Sequence, residues 1–311
     1  MPTTNVRRLA QELRESVLDV AWRQWHVLGA GVTASRPAAS IVDPEALVLL
    51  SLSCLQDEPR LGDLLHGWAS KHASLSSAQR MRNLAPRFPA AARAALVNFG
   101  RIALAEHKDL RWRFLADAAA RGDRAWPRRE RTRLATPRLK EPAALWLRLR
   151  LAIGVGVKAD VLTLLLGCER DWMSVREIAT ATGYTPAAVR RALDDMVSAA
   201  FAQSAGESPE RYRVEPNGWP IVLQLPRGIP RWCNWAGRFS LIAEFIAWEA
   251  AVRTRDVSPY AFAAYGRELL ERHRPALGNF QRHFPPSAVA EWGSFTAEVL
   301  RDLGGVMREE A

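Results

Sequence analysis

Residues 173–214 read MSVREIATATGYTPAAVRRALDDMVSAAFAQSAGESPERYRV, and the punctuation within this stretch decides the fold. Ser174 followed by Glu177 has the spacing of a capping box, in which each side chain satisfies a backbone N–H of the first helical turn. Met173 and Ile178 are placed to staple that start. Gly183 stands where the helix must stop, because glycine accepts the left-handed backbone of a helix end. Thr185 then caps a second helix with Pro186 at its first position, where a missing N–H does no harm. Val189, Leu193 and Met196 recur at helical spacing and predict a buried face, which leaves Arg190, Arg191 and Asp194 outside. Residues 201–205 and 211–214 flank the turn former Gly-Glu-Ser-Pro at 206–209, so a hairpin is predicted.

This order of capped helix, glycine turn, Thr-Pro-capped helix and hairpin resembles the winged helix-turn-helix of bacterial transcription regulators of the MarR and ArsR type. The resemblance covers about residues 158–215. It implies a second helix lying in the DNA major groove and an arginine of the wing in the minor groove. Those roles fall to the helix 186–198 and to Arg211, with Arg213 beside it. Thr185, Ala187, Arg190 and Arg191 are the expected base-edge residues: arginine prefers guanine O6 and N7, while Ala187 admits close approach and meets thymine methyls. Ser174 and Arg176, at the start of the first helix, complete the expected DNA-facing set. Such regulators usually bind as dimers, so a homodimer on double-stranded DNA is expected, with the N- and C-terminal helices as dimerisation candidates by elimination. The competing reading is a protein-interaction module, a regulatory subunit or an antitoxin-like partner, that uses the winged helix and its helical flanks for protein contacts.

Composition fits an anionic partner. The 311 residues carry a net charge of +10, with a sequence pI near 10.3 and 48% hydrophobic residues, enough for a core of two domains or more. Cys54, Cys168 and Cys233 are far apart and form no C-x-x-C pair, which suits a reducing compartment. No apolar run reaches the length of a membrane span, so a cytoplasmic location without membrane association is expected. His66 and His72 are isolated, and Gly154-Val155-Gly156 lacks the third glycine of a phosphate-binding turn. With no paired carboxylates and no Ser/His/Asp arrangement in evidence, neither enzymatic activity, nor a cofactor, nor a metal is expected.

The remaining chain reads as a mainly α, multi-helical protein around this central unit. Residues 1–120 form an N-terminal helical domain. It opens with an amphipathic helix over 5–28 closed by Gly29 and Gly31, and continues with a helix from Asp43-Pro44 through Leu55 and another carrying Leu61, Leu64, Leu65 and Trp68. Ser76 or Ser77 caps a segment with Gln79, Arg80, Met81, Arg82 and Asn83. Residues 43–85 thus read either as a degenerate helix-turn-helix or as an ordinary bundle, the bundle being favoured. A helix over 89–120 offers Leu96, Phe99, Ile102, Leu104 and Leu110 for burial.

Residues 121–141 read as a basic linker or arm. Between 121 and 150 ten Arg or Lys face three acids, so this segment supplies +7 of the net charge. Arg128, Arg129, Arg131 and Arg133 are expected to meet DNA phosphates, the alternative being a solvated hinge. Residues 142–216 form the winged domain. Alternation in its first segment suggests a strand, but Pro142 and the neighbouring helices favour a helix; Lys158 to Leu166 follows, burying Val161, Leu164 and Leu165. Residues 217–311 form a C-terminal helical domain after an extended, proline-punctuated connector. Trp235, Phe239, Ile242 and Ile246 make one stripe, and Leu241, Phe245 and Trp248 another, as in a central helix or one shared with a second subunit. Ser258 caps a helix bearing Phe262, Tyr265 and Leu269, and a last helix, marked by Val289, Trp292, Val299, Leu300 and Leu303, is expected to stop at Gly304-Gly305. The aromatic side chains suggest an effector pocket on the flanks, for a small molecule or a protein, although a core built of tryptophan is commoner.

Overall fold

Apolar residues from both ends of the chain meet in one core, and a second, smaller core sits beside it. A computed structural model describes residues 3–32, 36–116, 126, 133–168, 172–206, 209–254, 257–277, 286, 288 and 291–311. Among these the chain is mainly helical, with one small antiparallel sheet. The N-terminal part supplies α1 (Thr3–Val27), α2 (Pro44–Ser53), α3 (Arg60–Lys71), α4 (Ala78–Leu84), α5 (Ala90–His107) and the short α6 (Arg113–Ala116). Next come α7 (Leu145–Ile153), α8 (Val157–Gly167), β1 (Met173–Ser174), α9 (Val175–Thr182), α10 (Pro186–Ser198), β2 (Gln203–Ser204) and β3 (Arg211–Arg213). The chain closes with α11 (Trp219–Val222), α12 (Trp235–Val252), α13 (Pro259–Arg272), α14 (Arg274–Leu277) and α15 (Trp292–Glu310).

The larger core merges residues that the sequence reading assigns to separate N- and C-terminal domains. α12 is its central helix: Trp235, Phe239 and Ile242 on one side and Leu241 and Phe245 on the other are all buried, which accounts for its two apolar faces within one chain. Each such side chain contributes about 1.5–3 kcal/mol by leaving water. α1 and α15 pack along one another, so much of their apolar surface is spent inside the monomer. α15 runs through Gly304 and Gly305 instead of stopping there. A Cβ on Gly304 would stand 3.2 Å from Leu13 Cδ2, so this glycine serves close helix approach and not termination.

Three further expectations change. α5 ends at His107, not near 120, because Lys108 turns left-handed at φ 53°, and Leu110 is 73% exposed rather than buried. The proline-rich connector contains the helical turn α11, which tucks Leu223 and Leu225 into the second core. Residues 133–141 are not a free linker. Arg133 O accepts from Gly31 N, Ala135 N donates to Gly29 O, and Arg138 donates to the carbonyls of Val27 and His26. Gly29 permits this approach: its φ is 101°, and a Cβ there would lie 2.4 Å from Ala135 O. Arg128, Arg129, Arg131 and Val289 lie outside the described residues.

The second core joins α7 and α8 to α9, α10 and the sheet. Val161, Leu164 and Leu165 are buried as expected, and 145–153 is helical. Its strand-like alternation does not track burial: Arg150 is buried as fully as Leu149, whereas Leu151 is 55% exposed. The sheet has the order β1-β3-β2, all antiparallel, with Met173 opposite Tyr212 and Gln203 opposite Arg213.

Candidate nucleic-acid interface

The capping box of α9 is complete: Ser174 Oγ accepts from Glu177 N at 3.3 Å, and Ser174 N donates to Glu177 Oε2 at 2.8 Å. The Ser174 hydroxyl also donates to this carboxylate, at 2.9 Å, so it is engaged within its own helix, while Arg176 is exposed. Gly183 is left-handed at φ 79°, and a Cβ on it would come within 2.9 Å of Leu84 Cδ2. Two constraints, backbone and contact, therefore demand glycine here. Thr185 caps α10 by accepting from Ala188 N, and Val189 and Leu193 are fully buried.

This packing presents Thr185, Ala187, Arg190 and Arg191 together on the exposed side of α10. Arg190 reaches across to the hairpin and pairs with Glu210 at 3.0 Å. Ser204 Oγ also donates to Glu210, and these bonds hold the Glu210 carboxyl below its ordinary value. Arg191 and Arg211 are exposed and have no ion-pair partner among the described residues. Arg213 is more constrained: its Nε donates to Gln203 Oε1 at 2.8 Å, and its guanidinium lies 4.7 Å from the Trp172 ring centre. Arg133 is exposed, on the strand-like segment pinned beside α1.

Behind α10 lies a buried ionic network that the sequence reading does not anticipate. Arg80 of α4 donates to both carboxylate oxygens of Asp43, at 2.5 and 2.6 Å, and to Glu45 at 2.7 Å. Arg150 of α7 bridges Glu45, at 2.6 and 2.9 Å, to Asp160 of α8, at 2.8 Å. Trp146 Nε1 and the Tyr184 hydroxyl donate to the same Asp160 at 2.7 and 2.8 Å, and Trp146 lies under both guanidinium groups. Burial and the neighbouring Asp160 carboxylate push the Tyr184 phenol well up, so it stays a protonated donor. Arg80 is thus a buried anchor, not a reader of bases, and Met81 is buried as well. Gln79, Arg82 and Asn83 cluster instead around the turn before α10, where Asn83 Nδ2 donates to Gly183 O at 3.0 Å. The available signal was a charge on an apolar face: Arg150 within WLRLRLA and Asp160 within VKADVLTLL.

Two cavities flank this region. One, of about 790 Å³, opens at the N-terminal end of α10. The other, of about 820 Å³, lies between α12, α13 and Thr180 of α9. In the second, Trp248 and Tyr265 stack with ring centres 4.1 Å apart. Ser240, His273 and Glu244 also converge there, a grouping the sequence spacing does not reveal. Ser240 Oγ donates to Gly237 O at 2.9 Å and lies 3.4 Å from His273 Nδ1, while His273 Nε2 meets Glu244 at 2.7 Å. The serine proton is thus directed at a carbonyl and away from the imidazole. Among the described residues no three His, Cys, Asp or Glu side chains converge as a metal site, and no helix is long and apolar enough to cross a membrane. The chain matches no protein-family model, no curated protein and no solved structure.

Proposed function

We propose that the protein is a DNA-binding transcription regulator that reads the major groove with α10 and places the β2–β3 hairpin on the minor groove or backbone. In this reading α8, α9, α10 and the sheet are a winged helix-turn-helix. The observation that carries it is the pairing of a rigidly capped α9–Gly183–α10 turn with an outer face holding Thr185, Ala187 and the exposed Arg191. Arginine on such a face can donate bidentately to guanine, and the small Ala187 leaves room for the groove floor. Two copies on half-sites about one helical turn apart are the proposed assembly. An effector would occupy the 820 Å³ cavity, where Thr180 lets it bear on α9. Selection from a random duplex pool by the purified protein tests the reading: a shared sequence should be enriched, and a pool that stays random refutes it.

One observation favours the protein-interaction alternative. Ile221 and Val222 of α11 are 82% and 74% exposed, and Phe201, itself 47% exposed, stacks edge-on against Trp219 of the same helix. Apolar surface of this kind marks partner contacts more often than DNA contacts. In that case Ile221→Ser/Val222→Ser would abolish partner capture and leave duplex binding absent in both forms.

A further inference from the structure

The cavity at the N-terminal end of α10 is walled by parts of the chain outside the helix–sheet unit. Gln79 and Arg82 come from α4, Arg111 from the turn after α5 and Arg113 from the start of α6; Thr185 and Ala188 of α10 close the other side. Among the described residues no acidic side chain lines it. The Arg82 guanidinium rests 4.7 Å from the Phe114 ring centre and donates to Gln79 Oε1, which holds it against the wall. Arg111 shares its charge with Asp109 at 2.7 Å, outside the lining. α8 starts in the same wall at Gly156, without a side-chain cap.

Charge decides what such a cavity accepts. Residues 174–216 hold five arginines against six acids, so the unit that carries α10 cannot attract a polyanion on its own. A positive concavity touching the first turn of α10 lies where a phosphate strand passes when a helix enters a groove roughly 12 Å wide by its N-terminal end. We propose that this cavity seats the phosphate backbone of the duplex beside the bases met by α10, through Arg82 and Arg113. The inference rests on the DNA-binding reading above. Phosphate contacts of this kind set affinity and register without reading sequence.

The test is the salt dependence of binding to the selected duplex, for wild type and for the double variant Arg82→Gln/Arg113→Gln. Both side chains are exposed, so the variant should keep the wild-type melting curve. Each lost contact flattens log affinity against log salt by roughly 0.9, so a fall of about 1.8 in slope is expected, with discrimination against scrambled duplex unchanged. Arg82→Lys/Arg113→Lys should restore the slope, because a point charge suffices for phosphate. Wild-type slope in the glutamine variant overturns the seat while the DNA-binding reading stands. Lost discrimination at unchanged slope also overturns it, by placing the arginines on bases. Tight binding of inorganic phosphate alone, abolished in the glutamine variant, would reassign the cavity to a free anion. A wild-type protein that binds no duplex removes both the seat and the reading beneath it.

Discussion

Arg80 on α4 donates through Nε to the carbonyl oxygen of Thr182, the last residue of α9, at 2.6 Å. That carbonyl is one of the orphan acceptors at a helix end, and it is satisfied by a residue about a hundred positions earlier in the chain. The same guanidinium holds Asp43 and Glu45. The orientation of α9 and α10 is therefore set by a buried charge in the helical body, and not by their own core alone.

Removing one member of such a network leaves a buried charge without its partner, which costs about 3–5 kcal/mol. Arg80→Met should destabilise the protein by that amount, measured by urea unfolding. A variant with unchanged midpoint would show that the network contributes no orientation energy.

Within the buried network, acid should act through Glu45. Burial pushes its carboxyl up, but Arg150 and Arg80 outweigh this and hold it below the ordinary carboxylate value. A lowered folded value means that its contribution is complete above the unfolded value of about 4.3 and is lost as pH falls through the folded one. His72 and His273, both lowered by burial, add a separate loss as pH falls below about 6.5. Unfolding midpoints of Glu45→Gln and wild type across pH 7 to about 3 isolate the carboxylate: the variant should be less stable at neutral pH and lose less below about pH 4. Parallel curves would contradict the assignment.

Gly183→Ala should destabilise by about 1 kcal/mol or more, because alanine pays for both φ 79° and the approach to Leu84. Because Leu84 is itself buried, thermal melting of Gly183→Ala, Leu84→Ala and the double variant separates the two. A cost of Gly183→Ala that disappears in the Leu84→Ala background would mean that contact, and not backbone conformation, is the constraint.

Local punctuation made much of the central unit legible in the sequence. The Ser174–Glu177 box, Gly183, Thr185-Pro186 and the buried Val189–Leu193–Met196 face are set by residues within a few positions of one another. What stayed hidden depends on distant partners. Arg80 and Asn83 read only as members of a bundle or of a degenerate helix-turn-helix until Asp43, Thr182 and Gly183 are brought beside them, and Gly304 reads as a stop until Leu13 packs on it. The merging of both chain ends into one core was invisible for the same reason: an apolar stripe on α1 or α15 does not state which helix will cover it.

In the proposed reading Arg191, exposed on α10, is the side chain whose loss bears most directly on sequence discrimination. The decisive measurement is the ratio of affinities for the selected and the scrambled duplex, for wild type and Arg191→Ala at the same salt. One lost bidentate base contact should lower discrimination by about 1–3 kcal/mol, while binding to scrambled duplex changes little. An Arg191→Ala protein that discriminates as wild type does would contradict the assignment of α10 as the reading helix.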